Sequence, residues 1–349
     1  MKNRKGLVVL TIGILLAIVI IENRGRIHFD WAVFWQQVRH IRWAHIAAGV
    51  GLIYATYWLR SARWAVFLSD QKKVSPFALV APQFIGFTAV ALFGRIADVI
   101  RPALVARRVG LPTSTQFAVY TIERMFDLGA AAIIFSGALL FVPRDLPHHE
   151  IFVRTGLVSL AGTAFIALFA VILRVTGGAV AGLVRRILGR LSRPLAENIA
   201  DKIQGFREGL NTISSARDFL IIALISLTMW AFIGFAYLET LHAFADTPEL
   251  GAVTFSRAML LMGVSIGGSL LQLPIIGWFT QIAVTATAMH QFYGAPIEAA
   301  TACGAMLLAV TFLSIIPAGL ICARISGVNL RAAPNENPAE ATQTGTTTR

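Results

Sequence analysis

Glu123 and Asp127 lie four residues apart in the stretch YTIERMFDLGAAAIIF. On a helix that spacing puts both carboxylates on one face. Arg124 precedes Asp127 by three and reaches it along the same helix. A second charged group stands upstream in GRIADVIRPALVARRVG, where Arg95, Asp98 and Arg101 follow at steps of three, one slanting stripe if the stretch is helical. Gly94 opens that stretch, and Pro102 lacks a backbone donor and restricts Arg101, which predicts a break there. Guanidinium forks hold carboxylates and phosphates through paired hydrogen bonds. The chemistry on offer is therefore ion pairing, or capture of a phosphate.

The surroundings make these charges expensive. Of 349 residues 56% are hydrophobic and 14% charged, against about 25% charged in a soluble domain. A charge at a bilayer centre costs about 2.5–3.5 kcal/mol, so Glu123, Arg124 and Asp127 left unpaired would cost roughly 8–10 kcal/mol. Asp127 offsets Arg124 within the helix. Glu123 then needs an outside partner, which the 94–108 element supplies. Two readings follow: a buried ion network that fixes helix packing, or a ligand pathway of the kind intramembrane ionisable residues mark.

The elements that must position these residues are apolar runs at about 6–21, 44–69, 77–93, 117–142, 155–173, 219–241, 258–273, 275–292 and 297–323. A crossing needs roughly 20 residues. The expected fold is an all-α polytopic membrane protein with about eight transmembrane helices plus one or two re-entrant or broken helices. The third and seventh runs are short and carry Pro82 and Gly86, and Gly263, Gly267 and Gly268, which suits broken or re-entrant helices or close packing through small residues. If the third run is re-entrant, Lys2, Arg4, Lys5, Arg60, Arg63, Lys72, Lys73, Arg107, Arg108, Arg324 and Arg331 fall on the cytoplasmic side. The segment 22–43, with Arg24, Arg26, Arg39 and Arg42, then lies outside against the rule. The first run reads as an uncleaved helix with a cytoplasmic N-terminus. Residues 174–218 read as a cytoplasmic amphipathic insertion or a plain hairpin, divided at Pro194, and 331–349 as a disordered tail after a single domain spanning 1–325.

The formal charge of +12 gathers at the ends of the apolar runs, which points to lipid headgroups and away from nucleic acid. Cys303 and Cys322 have no metal spacing and read as small buried hydrophobes, and no cofactor or metal is expected.

FGRIADVIRP followed by IERMFD resembles the paired motif of the lysylphosphatidylglycerol synthase transmembrane family, the flippase domain of multiple-peptide-resistance-type proteins. Gly94, Arg95, Asp98, Arg101 and Pro102 match its first part, with Asp where Glu is common, and Glu123, Arg124 and Asp127 match its second. A later family motif falls on Pro274, Gly277 and Gln281, with glutamine in place of the glutamate. The resemblance implies a domain in the cytoplasmic (inner) membrane that moves a phospholipid or lipid-linked headgroup between leaflets. Its cargo would be an anionic or aminoacylated phospholipid, and its partner a separate synthase or glycosyltransferase. The synthase activity itself is not implied. Arg95 and Arg101 would take the lipid phosphate, with Asp98, Glu123, Arg124, Asp127 and Gln281 completing a hydrated cleft. Two other readings stay open. One is a membrane-embedded transferase on a polyprenyl- or phospholipid-linked substrate, with Asp98, Glu123 and Asp127 on a divalent metal. The other is a small-solute transporter using Glu123 or Glu239.

Overall fold

The computed structural model describes residues 29–142, 144, 149–190, 192–201, 215–268 and 276–328, and among them every regular element is helical. The helices are α1 (Trp31–Arg39), α2 (Trp43–Phe67), α3 (Pro76–Phe93), α4 (Ile100–Val109), α5 (Thr113–Leu140), α6 (His149–Leu188), α7 (Ala216–His242), the single turn α8 (Pro248–Gly251), α9 (Phe255–Gly268), α10 (Ile276–Tyr293), α11 (Ile297–Leu308) and α12 (Ile315–Ile325). The first apolar run, Pro274 and the C-terminal tail lie outside the described residues.

Among the described residues four stretches are long and apolar enough to cross a membrane: Pro76–Phe93, His149–Leu168, Ala216–His242 and Ile297–Ile325. The last is one path in two pieces, joined by a π-helical turn at Ala309–Leu313. α2 and α5 have the length as well, at 25 and 28 residues, but carry the charges that make the site. The chain is thus a polytopic helical membrane protein.

Length alone misplaces α3. A 3₁₀ turn at Arg95–Val99 follows it, and α4 then runs back along it. Gly94 makes the corner with φ 80°, a left-handed backbone that favours glycine. The arms touch where a Cβ on Gly86 would lie 2.8 Å from the Arg101 Cβ. Lys72 Nζ donates to the Val109 carbonyl at 2.7 Å, closing the open end. The third run is therefore one unbroken arm of a helical hairpin. The break expected at Pro102 comes earlier, at the 3₁₀-to-α change, and Pro102 sits in the first turn of α4, where a missing N–H costs nothing.

α9 and α10 make a second hairpin from the opposite end. Tyr293 OH donates to the Arg257 carbonyl near the mouth, and Gln281 Nε2 to Ser265 Oγ deeper in. Gly263 lies against the Phe135 ring, so this glycine serves close packing.

α2 and α7 pack along their whole length and form the bundle's spine. Their ends differ in charge. Lys72, Lys73, Arg107, Arg108 and Arg217 gather near the C-terminus of α2. At the other end Asp30 caps α1, the Arg42 N–H donates to the Ala243 carbonyl, and Trp31, Trp35 and Trp43 are exposed. α6 is longer than its apolar run. It continues through residues 174–188 before turning at Gly189, because nothing in VTGGAVAGLVRRIL stops a helix whose neighbours are Ala, Val and Leu. Helix resumes at 193–201 around Pro194.

Candidate functional site

α2 turns one face toward α5 over its last two turns, placing Arg60 and Arg63 seven and four residues from its end, about 6–10 Å along the axis. α5 presents Glu123 and Asp127 on its buried face about 15–21 Å from its start, as the spacing predicts. Four residues from the hairpin and from α7 complete the group: Gln83, Asp98, Arg101 and Ser226.

The contacts form a continuous network. Arg63 Nη1 donates to Asp127 Oδ1 at 2.7 Å and to Ser226 Oγ at 2.6 Å, while its Nη2 donates to Glu123 Oε1 at 2.8 Å. Arg60 Nη1 stands 3.0 Å from Asp127 Oδ2 and 3.4 Å from Glu123 Oε1. Arg101 Nη1 donates to Glu123 at 3.0 Å and to Gln83 Oε1 at 3.2 Å. Arg124 Nη2 lies 3.2 Å from Asp127 Oδ2. Asp98 accepts from Tyr120 OH at 2.5 Å and stands 3.5 Å from Arg101 Nη2.

Aromatic rings close over the guanidiniums. Arg101 lies 4.7 Å from the Phe87 ring centroid, 5.2 Å from Tyr120 and 5.3 Å from Trp64, and Arg60 lies 5.0 Å from Phe87. Ring faces attract a desolvated cation, which helps hold charge away from water. Trp64 is itself fixed by its Nε1 donating to Gln116 Oε1 at 2.9 Å.

Two properties decide what the group can do. Among the described side chains four arginines (60, 63, 101, 124) face three carboxylates (98, 123, 127), a formal charge of 4 − 3 = +1. Donors also outnumber acceptors. Seven nitrogens, Arg63 Nε, Arg101 Nε and Nη2, Arg124 Nε and Nη2, Gln83 Nε2 and Gln116 Nε2, are buried without a hydrogen-bond partner, against two oxygens in the same state, Asp98 Oδ1 and Glu123 Oε2. Buried donors left unmet are costly, so the cluster is short of acceptor oxygens.

The expected partnership of Arg101 with Glu123 is present, and Arg124 reaches Asp127 within α5. The expected hydrated cleft is not the arrangement of the inner members. Arg101 and Arg63 are 0% and Glu123 1% exposed, because Trp64, Phe87 and Tyr120 cover them. The rim is more open, with the Arg124 and Asp98 side chains 35% and 20% exposed. Arg95 belongs to the 3₁₀ turn, and its side chain lies outside what is described. Gly277 is buried in the first turn of α10. Gln281 stands apart from the arginines, bonded to Ser265 on the second hairpin. Glu239 pairs with His45 at 2.7 Å near the opposite end.

Arg60 and Arg63 are the members of the network that sequence reasoning misplaced. Counted with Lys72 and Lys73 as interfacial charges, they are instead the main partners of Asp127 and Glu123. Their spacing of three, followed by the apolar residues Trp64 and Phe67, was the available signal.

Fold and site together define a helical membrane protein organised around a buried arginine–carboxylate network. The profile of the family described as Lysylphosphatidylglycerol synthase TM region matches residues 6–319, and the chain belongs to that family. Comparisons with curated proteins and with solved structures return no match.

Proposed function

We propose that this protein carries the headgroup of an anionic or aminoacylated phospholipid, or of a lipid-linked compound, between leaflets of the cytoplasmic membrane. The observation that supports this best is the acceptor deficit of the arginine network. A phosphodiester brings one negative charge and several acceptor oxygens, matching a site of charge +1 with spare guanidinium and amide donors. The headgroup enters at the rim formed by Arg124, Asp98 and Tyr120, and the acyl chains stay in hydrocarbon. Arg101 takes the phosphate, with Arg124 drawing it in; Asp98, Glu123 and Asp127 keep the arginines oriented and meet a cationic headgroup where one is present. The basic end carrying Lys72, Lys73, Arg107 and Arg108 faces the cytoplasm, as the distribution of Lys and Arg favours. A separate synthase or glycosyltransferase supplies the lipid.

The test is dithionite quenching of fluorescent phosphatidylglycerol in proteoliposomes holding the full chain. Arg101→Ala and Glu123→Ala abolish leaflet transfer. Because both residues are buried, Arg101→Lys, which keeps the charge and loses the fork, and Arg124→Gln at the rim serve as folded comparators and slow transfer. Wild-type transfer in Arg101→Ala and Glu123→Ala would remove the site.

A further inference from the structure

The face of α7 that meets the arginine network does not end there. Ser226, which accepts from Arg63, is followed on the same face by Trp230 and Tyr237, at offsets of four and eleven. Tyr237 lies about 16 Å further along the axis. There, polar groups from four elements converge in an otherwise apolar core. Tyr237 OH of α7 donates to Ser265 Oγ of α9 at 2.9 Å, and Gln281 Nε2 of α10 donates to the same oxygen at 3.0 Å. The Thr311 hydroxyl, set by the π-helical turn, also reaches Tyr237. Tyr237 and Ser265 are 4% and 1% exposed. Between the two polar groups, one turn beyond Ser226, the Trp230 indole N–H is buried with no hydrogen-bond partner.

We infer that Tyr237, Ser265, Gln281 and Thr311 form a second, uncharged station for the lipid headgroup, with the Trp230 N–H as the stepping point between it and the arginines. The inference rests on the lipid-transfer reading and gives it a path. A headgroup leaving the arginines crosses a zone where unmatched phosphate oxygens are strongly disfavoured. A donor about a third of the way along and a hydroxyl–amide cluster beyond it replace water at each stage. The second station carries no formal charge, which suits release: a site on a conduction path must bind enough to admit and weakly enough to let go. Ser265 accepts from two neighbours and keeps its own hydroxyl proton to donate. Its ligands are therefore phosphodiester or hydroxyl oxygens of the headgroup. Each station adjoins one hairpin: the arginine network meets α3–α4 through Arg101 and Gln83, and Ser265 and Gln281 belong to α9–α10. The path thus joins the two elements that enter the bundle from opposite ends.

The test uses Trp230→Phe and Tyr237→Phe, which keep an aromatic ring and delete only the donor, and Gln281→Leu. Transfer of fluorescent phosphatidylglycerol in proteoliposomes falls about three- to tenfold in each, the worth of one hydrogen bond on the path. The thermal shift that dioleoyl-phosphatidylglycerol gives the detergent-solubilised protein stays unchanged, because the arginine station is intact. A cluster that merely staples α9 and α10 to α7 would lower the melting temperature of Tyr237→Phe and leave transfer at the wild-type rate. That result, or wild-type transfer in both phenylalanine variants, overturns the second station and leaves the lipid-transfer reading standing. A wild-type protein that moves no lipid overturns both.

Discussion

Asp127→Asn tests the network most directly. Its carboxylate touches three guanidiniums, at 2.7 Å (Arg63), 3.0 Å (Arg60) and 3.2 Å (Arg124), at a position 5% exposed. The amide keeps the shape and removes the charge, so the cluster goes from +1 to +2 with no water to compensate. Breaking a buried pair from one side costs about 3–5 kcal/mol. Arg60→Gln costs less, about 1–2 kcal/mol, because Asp127 keeps Arg63 and the cluster becomes neutral. The double variant has three arginines and two carboxylates, again +1. Its destabilisation therefore falls short of the summed singles by at least about 1.5 kcal/mol, within the range of coupled contacts. The assay is reversible unfolding by sodium dodecyl sulfate titration in mixed micelles, followed by far-ultraviolet circular dichroism. Additivity within about 0.5 kcal/mol would refute the charge balance as the organising term.

Two further outcomes follow from packing and topology. A Cβ on Gly319 would overlap the Thr88 hydroxyl and stand 2.6 Å from the Phe84 carbonyl oxygen, whereas one on Gly137 meets nothing within 4 Å. Gly319→Ala therefore loses about 1–3 kcal/mol by separating α12 from α3, and Gly137→Ala gains up to about 1 kcal/mol of helix propensity, both read from the same titration. With Cys303 and Cys322 replaced by alanine, Lys73→Cys and Arg108→Cys react with an impermeant maleimide from one side of the membrane, and Asp246→Cys from the other. Labelling of positions 73 and 108 from opposite sides would mean that the α3–α4 segment crosses.

The helices were legible because apolar length is a strong signal, and the facing of Glu123 and Asp127 because helical periodicity is rigid. Arg101 as the outside partner of Glu123 followed from the cost of an unmatched carboxylate. Arg60 and Arg63 did not follow. An arginine within two turns of a helix end fits the interface or the interior equally well by composition, and only the packing of α2 on α5 and α7 decides. Gln83, Tyr120, Ser226 and Trp230 were silent because uncharged polar residues are common in membrane helices and acquire meaning only through neighbours. The extent of α6 was misread for a different reason. The change from apolar to basic composition marks a change of solvent, while the backbone ends only where a breaker such as Gly189 allows it.

The α3–α4 hairpin has a mechanical consequence. Both its arms return to one end of the bundle, and Lys72 binds the Val109 carbonyl so that the arms move as one piece. Its covalent ties are the short links before Pro76 and after Val109, so its seat is set by packing on α2, α5 and α12 and by side-chain bonds. Among the bonds that hold it are those from Arg101 to Glu123, from Tyr120 to Asp98 and from Thr88 to the Ile315 carbonyl. Any anion that captures the guanidinium of Arg101 competes with its bond to Glu123, so occupancy of the arginine station and one fastening of the hairpin share the same few atoms.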